Sequence, residues 1–154
     1  MAKIEAKLKE LGLELPAVSA PIGNFAHAQR LGDLLYLSGI GPLKDGKPTI
    51  TGKLGAGLTL DQGYAAAQQA VLNLLAVVKD ELGDLDKVKQ IVKLLGMVNS
   101  DPSFDKQPAV INGASDLLVK LFGDKGRHAR SSVGMAALPM GFPVAIEMIV
   151  QIEE

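Results

Sequence analysis

The run FPVAIEMIVQI, residues 142–152, constrains this chain more than any other stretch. In an extended strand, successive side chains point to opposite sides. Val144, Ile146, Met148, Val150 and Ile152 therefore share one face, and all are apolar. Such a face is buried against a second layer, here helices. Ala145, Glu147, Ile149 and Gln151 share the other face, which is mixed rather than clearly polar. The strand thus asks for cover on both sides.

Two helices are available for the first face. TLDQGYAAAQQAVLNLLAVVKDELG opens with Thr59 and has Gln62 three residues on, the pattern of a capping box. Ala67, Val71, Leu74, Leu75, Val78 and Leu82 form its apolar stripe, and Gly83 ends it. QPAVINGASDLLVKLFG reads as the second helix, with Val110, Ala114, Leu117 and Leu121 inward. A short N-terminal helix is expected from Ile4, Leu8 and Leu11, with Gly12 as its stop. FAHAQRLGDLLYLSGIG reads as a hairpin turning at Gly32-Asp33, with strands near 25–31 and 34–40. A further short strand is expected around Thr49–Thr51. DKVKQIVKLLGMVN reads as a strand in which Val88, Gln90, Val92, Leu94 and Gly96 share a face. A helix is the rival reading, because the run is long and mixed. RSSVGMAAL and FPVAIEMIVQI close the chain as two strands joined by PMG. The order predicts an α+β fold: one mixed sheet with two main helices on one face.

The second sheet face then needs its own cover. Beyond the N-terminal helix the sequence holds nothing for it, so it is expected to be buried against other subunits. Pairing of the two closing strands about Met140-Gly141 sets Gly134 opposite Glu147, and opposed residues share a face. Arg130, Ser132 and Glu147 are then expected to project together, away from the helices. An arginine and a carboxylate beside an interface can form a ligand pocket.

Composition removes several function classes. The chain has 154 residues, 47% hydrophobic and 21% charged, enough for one domain with a core. Net charge is −1 and aromatic residues make up 4%, so neither a basic phosphate-tracking groove nor a base-stacking platform is visible. Nucleic acid is therefore not an expected partner. Cysteine is absent, which removes disulfides and thiolate sites and fits a reducing, cytoplasmic location. No apolar run approaches the roughly 18 residues of a membrane span. His27 and His128 do not have the spacing of a metal-ligand pair, and the glycine-rich GKLGAG loop lacks both the P-loop and the dinucleotide patterns.

Four pieces, in order, carry a resemblance: PIGNFAHAQRLGDLLYLSGIGPL, the long helix after LTLDQG, VINGA, and ARSSVGMAALPMGFPVAIEMI. Together they resemble the reactive intermediate deaminase family, RidA, also called YjgF. The most specific is the last: an Arg-Ser dipeptide, a strand, Leu-Pro, then a strand carrying Glu. The resemblance covers residues 21–154 as a single domain and leaves residues 1–20 as a helix and linker outside the family core. It implies a chorismate-mutase-like fold and a homotrimer with clefts between subunits. It implies hydrolysis of enamine and imine intermediates, such as 2-aminoacrylate, to 2-keto acids and ammonia, with no metal or organic cofactor. By position, Arg130 matches the arginine that grips the substrate carboxylate, and a guanidinium fork suits that task. Glu147 matches the acid that positions the hydrolytic water. Asn112, Ser38 and Gly39 match pocket residues. Phe25 stands where a tyrosine is usual and Ser132 where a cysteine is common, so the chain resembles a longer, divergent branch. A small-carboxylate-binding or regulatory trimer is the alternative function; an endoribonuclease comes third.

Overall fold

The computed structural model describes residues 3–153. Helix α1 (Lys3–Glu10) is followed by strands β1 (Ala28–Leu31) and β2 (Leu34–Ile40), which form the expected hairpin. Two short pairs come next: β3 (Leu43–Lys44) with β4 (Lys47–Pro48), and β5 (Lys53–Leu54) with β6 (Gly57–Leu58). Helix α2 (Leu60–Leu82), strand β7 (Val88–Asn99), helix α3 (Gln107–Phe122), strand β8 (Ala129–Met135) and strand β9 (Val144–Ile152) complete the chain. The main sheet has the order β1-β2-β9-β7-β8. Within this sheet only β7 and β8 run parallel, joined by the α3 crossover; its other pairs are antiparallel. This is the mixed sheet with its helices on one face.

Local chemistry sets the helices. The Thr59 side chain accepts the Gln62 N–H, and Gln62 Oε1 accepts the Thr59 N–H at 2.8 Å, so two orphan donors are satisfied. At the other end the Gly83 N–H reaches Lys79 O at 2.7 Å. Ala67, Val71, Leu74, Leu75 and Val78 are all buried. Thr59→Ala is expected to cost about 1 kcal/mol in chemical denaturation, with native contacts elsewhere unchanged. Helix α3 starts on Gln107 and Pro108 and buries Val110, Ala114, Leu117 and Leu121, as its spacing requires. No helix among the described residues is long and apolar enough to cross a membrane.

The N-terminal helix belongs to the helix layer. Ile4 and Leu8 are buried in the common core, while Leu11 is exposed. Asp86 caps α1, accepting the N–H groups of Lys3 at 2.8 Å and Ile4 at 3.0 Å. The N–H groups of Ile4 and Lys3 together hold the Asp86 carboxyl below its usual range. Lys79 of α2 pairs with Glu5. Helix α1 therefore leaves the second sheet face alone. On that face Tyr36 and Val133 are exposed, and Leu95, Met97 and Ile149 are half-buried.

Three expectations need correction. Residues Thr49–Thr51 are not a strand, because the chain turns at Asp45-Gly46 and pairs Lys47–Pro48 back onto Leu43–Lys44. Simple alternation fails in β7, whose register shifts between Val88 and Gln90 and again between Ile91 and Lys93. Val88, Ile91 and Leu94 are buried while Gln90 is exposed. The closing strands do not pair with each other either, since β7 lies between them. Leu94 pairs with both Arg130 and Met148, and Leu94 and Met148 are buried under the helices. Arg130 and Ser132 thus lie on the helix face, whereas Glu147, paired with Leu95, lies on the other.

Candidate functional site

The expected site residues form two groups. The first sits where edge strand β8 meets α3. The half-buried Arg130 donates through Nη1 to Asn112 Oδ1 at 2.8 Å and to Ser115 Oγ at 3.1 Å. Ser115 Oγ lies 2.8 Å from His128 Nε2, and His128 Nδ1 lies 2.7 Å from Gly126 O. A carbonyl only accepts, so Nδ1 carries a proton; in the neutral ring, Nε2 then accepts the Ser115 hydroxyl proton. Burial pushes the His128 pKa down, the Arg130 charge adds to that, and the bond to Gly126 O opposes it. A neutral imidazole leaves a Ser115 lone pair aimed at the guanidinium.

The placement of His128 depends on Gly126. A Cβ there would stand 2.2 Å from Leu118 O, so the chain can pass this close to α3 only as glycine. Among the described residues, Arg130 has no carboxylate partner. Ser132 Oγ, two residues along the same face, is buried and has no hydrogen-bond partner among them. Asn112 and Ser115 stand three apart on α3, neighbours on one helix face. That spacing was the available signal for Ser115, which the sequence reading did not single out. His128, in the loop before β8, is part of the same chain of bonds.

The second group sits at the far end of β2, on the other side of β9. The register of β2 on β9 shifts between Leu37 and Ile40, and Ser38 and Gly39 lie in this irregularity. Ser38 donates its N–H to His27 O at 2.9 Å and its hydroxyl to Ala26 O at 2.7 Å. Gly39 presents bare backbone beside Glu147: a Cβ on it would be 3.5 Å from Glu147 Cγ. Glu147 is exposed. Phe25 meets His27 edge-on, with ring centroids 6.2 Å apart, and His27 Nε2 is 2.5 Å from Ser19 O. Phe25 and Gly39 line a cavity of about 310 Å³.

Arg130 and Glu147 do not meet within one chain. Their strands are separated by β7, hence by about 10 Å, and their side chains leave opposite faces of the sheet. Among the described residues, no cluster of three or more His, Asp or Glu side chains is placed to hold a metal ion.

Two measurable consequences follow from the His128 network. Ser115→Ala is expected to loosen the Arg130 side chain and to cost about 1.5 kcal/mol in chemical denaturation, since a bond to a charged group is lost. The lowered His128 pKa also makes stability depend on pH. The folded state prefers the neutral ring, so this contribution is present above the ordinary histidine pKa of about 6.5 and is lost as pH falls through the lowered folded value. Denaturation midpoints taken between roughly pH 7.5 and 5 should fall for the native chain, and by less for His128→Gln.

Comparison with known proteins gives a consistent picture. The family described as "YjgF/chorismate_mutase-like, putative endoribonuclease" matches residues 5–150. Protein TCP17 of Trypanosoma cruzi is 44% identical, over 97% of this chain and 94% of its own length. A 2-iminobutanoate/2-iminopropanoate deaminase of Dermatophagoides farinae is 31% identical, over 92% of this chain and 95% of its own. The crystal structure of a protein of unknown function from Agrobacterium tumefaciens superposes with a TM-score of 0.92 at 44% identity, covering 99% of this chain and 94% of that one.

Proposed function

This chain belongs to the YjgF/chorismate-mutase-like family, known also as RidA, and we propose that it hydrolyses reactive 2-imino acids to 2-keto acids and ammonia. The observation that carries this reading is Arg130: a guanidinium held in place by Asn112 and Ser115, with no carboxylate partner among the described residues. A fixed, half-buried cation of this kind suits a substrate carboxylate, which it can bind through two parallel hydrogen bonds. The 31% identical relative named a 2-iminobutanoate/2-iminopropanoate deaminase supports the reaction class.

The proposed site is shared between copies in a homotrimer. Arg130 and Glu147 leave opposite faces of one sheet, so a substrate touching both must lie between two protomers. The exposed Tyr36 and Val133 on the uncovered face support this assembly. In the proposed reaction Arg130 of one copy orients the imino acid. Glu147 of the next copy accepts a hydrogen bond from a water and aims its oxygen at the C=N carbon. The oxygen bonds to that carbon and a water proton passes to nitrogen. The carbinolamine then collapses: the C–N bond breaks, ammonia leaves, and the hydroxyl proton goes with it. The rate gain comes from orientation and water placement.

A second reading is a trimer that binds a keto acid without turning anything over. Phe25 has no hydroxyl to offer, and that of Ser38 is already given to Ala26 O, so neither side chain donates freely to a ligand beside Gly39. An endoribonuclease is disfavoured by the net charge of −1 and the low aromatic content. The deciding experiment generates 2-aminoacrylate in situ with a dehydratase and follows pyruvate release. Acceleration by the protein supports hydrolysis. No acceleration, together with keto acid bound at Arg130 in a crystal, supports the binding trimer.

A further inference from the structure

The cavity beside Gly39 is larger than a small imine needs. Its volume is about 310 Å³. A methyl group is about the size of a water molecule, whose share of the liquid is about 30 Å³, so the methyl of 2-iminopropanoate leaves most of this space empty.

The lining is mostly apolar, with Val18, Ile22, Ile40, Val77 and Phe142 among others, and Asp45 is its one carboxylate residue. Two of its polar groups are already used. Asn73 Nδ2 donates to Gly41 O at 3.0 Å, and His27 Nε2 is bonded to Ser19 O. The second bond also pins residues 17–22 as the outer wall. Apolar side chains continue onto the surface at the mouth, where Ile22, Phe25 and Met140 are exposed. The cavity runs on from Gly39, where a Cβ would stand 3.5 Å from Glu147 Cγ, and from Ala145, two residues before Glu147 on the same face.

From volume, lining and position we infer that this cavity receives the side chain of the substrate. The preferred substrates are then 2-imino acids with a branched aliphatic or aromatic side chain rather than 2-aminoacrylate or 2-iminopropanoate. The inference rests on the imine-hydrolase reading for the reaction, but not for the selectivity of binding. Burying apolar surface in a preformed apolar cavity discriminates by chain length.

The test compares imines made in situ by oxidation of alanine, leucine and phenylalanine. The expected result is a kcat/KM at least tenfold higher for the isobutyl or benzyl imine than for the methyl imine. Val77→Phe, which fills the cavity from α2, should remove that preference and leave the methyl imine unchanged. Val18→Trp does the same from the exposed linker and guards against misfolding of the first variant. In parallel, calorimetry with pyruvate and 4-methyl-2-oxopentanoate reads binding alone, and the branched acid should bind at least tenfold more tightly. Equal turnover of all three imines overturns the inference and leaves the hydrolase reading intact. Selective binding without any turnover overturns the hydrolase reading and leaves the cavity assignment intact. Equal or absent binding of the two oxo acids, without turnover, overturns both.

Discussion

Replacing Arg130 by alanine is expected to lower the proposed imine hydrolysis by on the order of a hundredfold or more, because on that reading the imino acid loses the group that fixes its orientation. The fold should persist. The side chain is half-buried at the outer strand β8, and its loss removes bonds only to Asn112 and Ser115. Stability in chemical denaturation should fall by about 1–3 kcal/mol, since two bonds to a charged, half-buried group are lost. Arg130→Lys keeps the charge but not the fork, and should recover only part of the rate. Hydrolysis at the wild-type rate in Arg130→Ala would sink the assignment of this residue. Loss of rate with loss of fold would make it structural instead, and circular dichroism separates the two cases.

The largest expected effect on stability is at Gly113. Helices α2 and α3 meet there with no side chain between them. A Cβ on Gly113 would stand 2.0 Å from Tyr64 O and 2.8 Å from its carbonyl carbon. Both atoms are backbone of α2, so no rotamer change relieves the clash. Gly113→Ala must push the helices apart and open the core around Ala67 and Ala114, both fully buried. Overpacking typically costs 1–3 kcal/mol, and rigid backbone on both sides places this case at or above about 3 kcal/mol. The variant should melt far below the wild type or fail to accumulate. Thr59→Ala, at about 1 kcal/mol, is the natural scale for comparison. A melting temperature within a degree or two of wild type would show that the helices separate at little cost.

Much of the fold was legible because its signals are local. The capping box at Thr59 and Gln62, the β1–β2 turn at Gly32-Asp33 and the one-sided burial of β9 follow from neighbours a few residues apart. The site was legible only as a set of residue types. Arg130, Asn112, Ser38, Gly39 and Glu147 stand in the ordered pieces that resemble the family, but alternation assigned Arg130 to the wrong face. In ARSSVGM most residues are small, and neither alternate set is clearly apolar. Such a strand carries little information about its own facing. Register shifts in β7 hid its facing in the same way.

The sequence by itself determined the main helices, the β1–β2 hairpin, the closing strands, the apolar face of the last strand and the family resemblance. Helix and strand periods are set within a few residues, so those conclusions need no knowledge of neighbours. Only the tertiary structure decided which strands are adjacent. The α3 crossover lays β8 parallel to β7, and β9 returns between β7 and β2. That order turns Arg130 toward Ser115 and His128, and leaves Glu147 beside Gly39 on the opposite face. Tertiary contact, through the bond of His27 to Ser19 O, also sets Ala17, Val18, Ser19, Ala20 and Ile22 as one wall of the cavity. Strand adjacency depends on loop closure and packing between residues far apart in the chain, and no local pattern carries it.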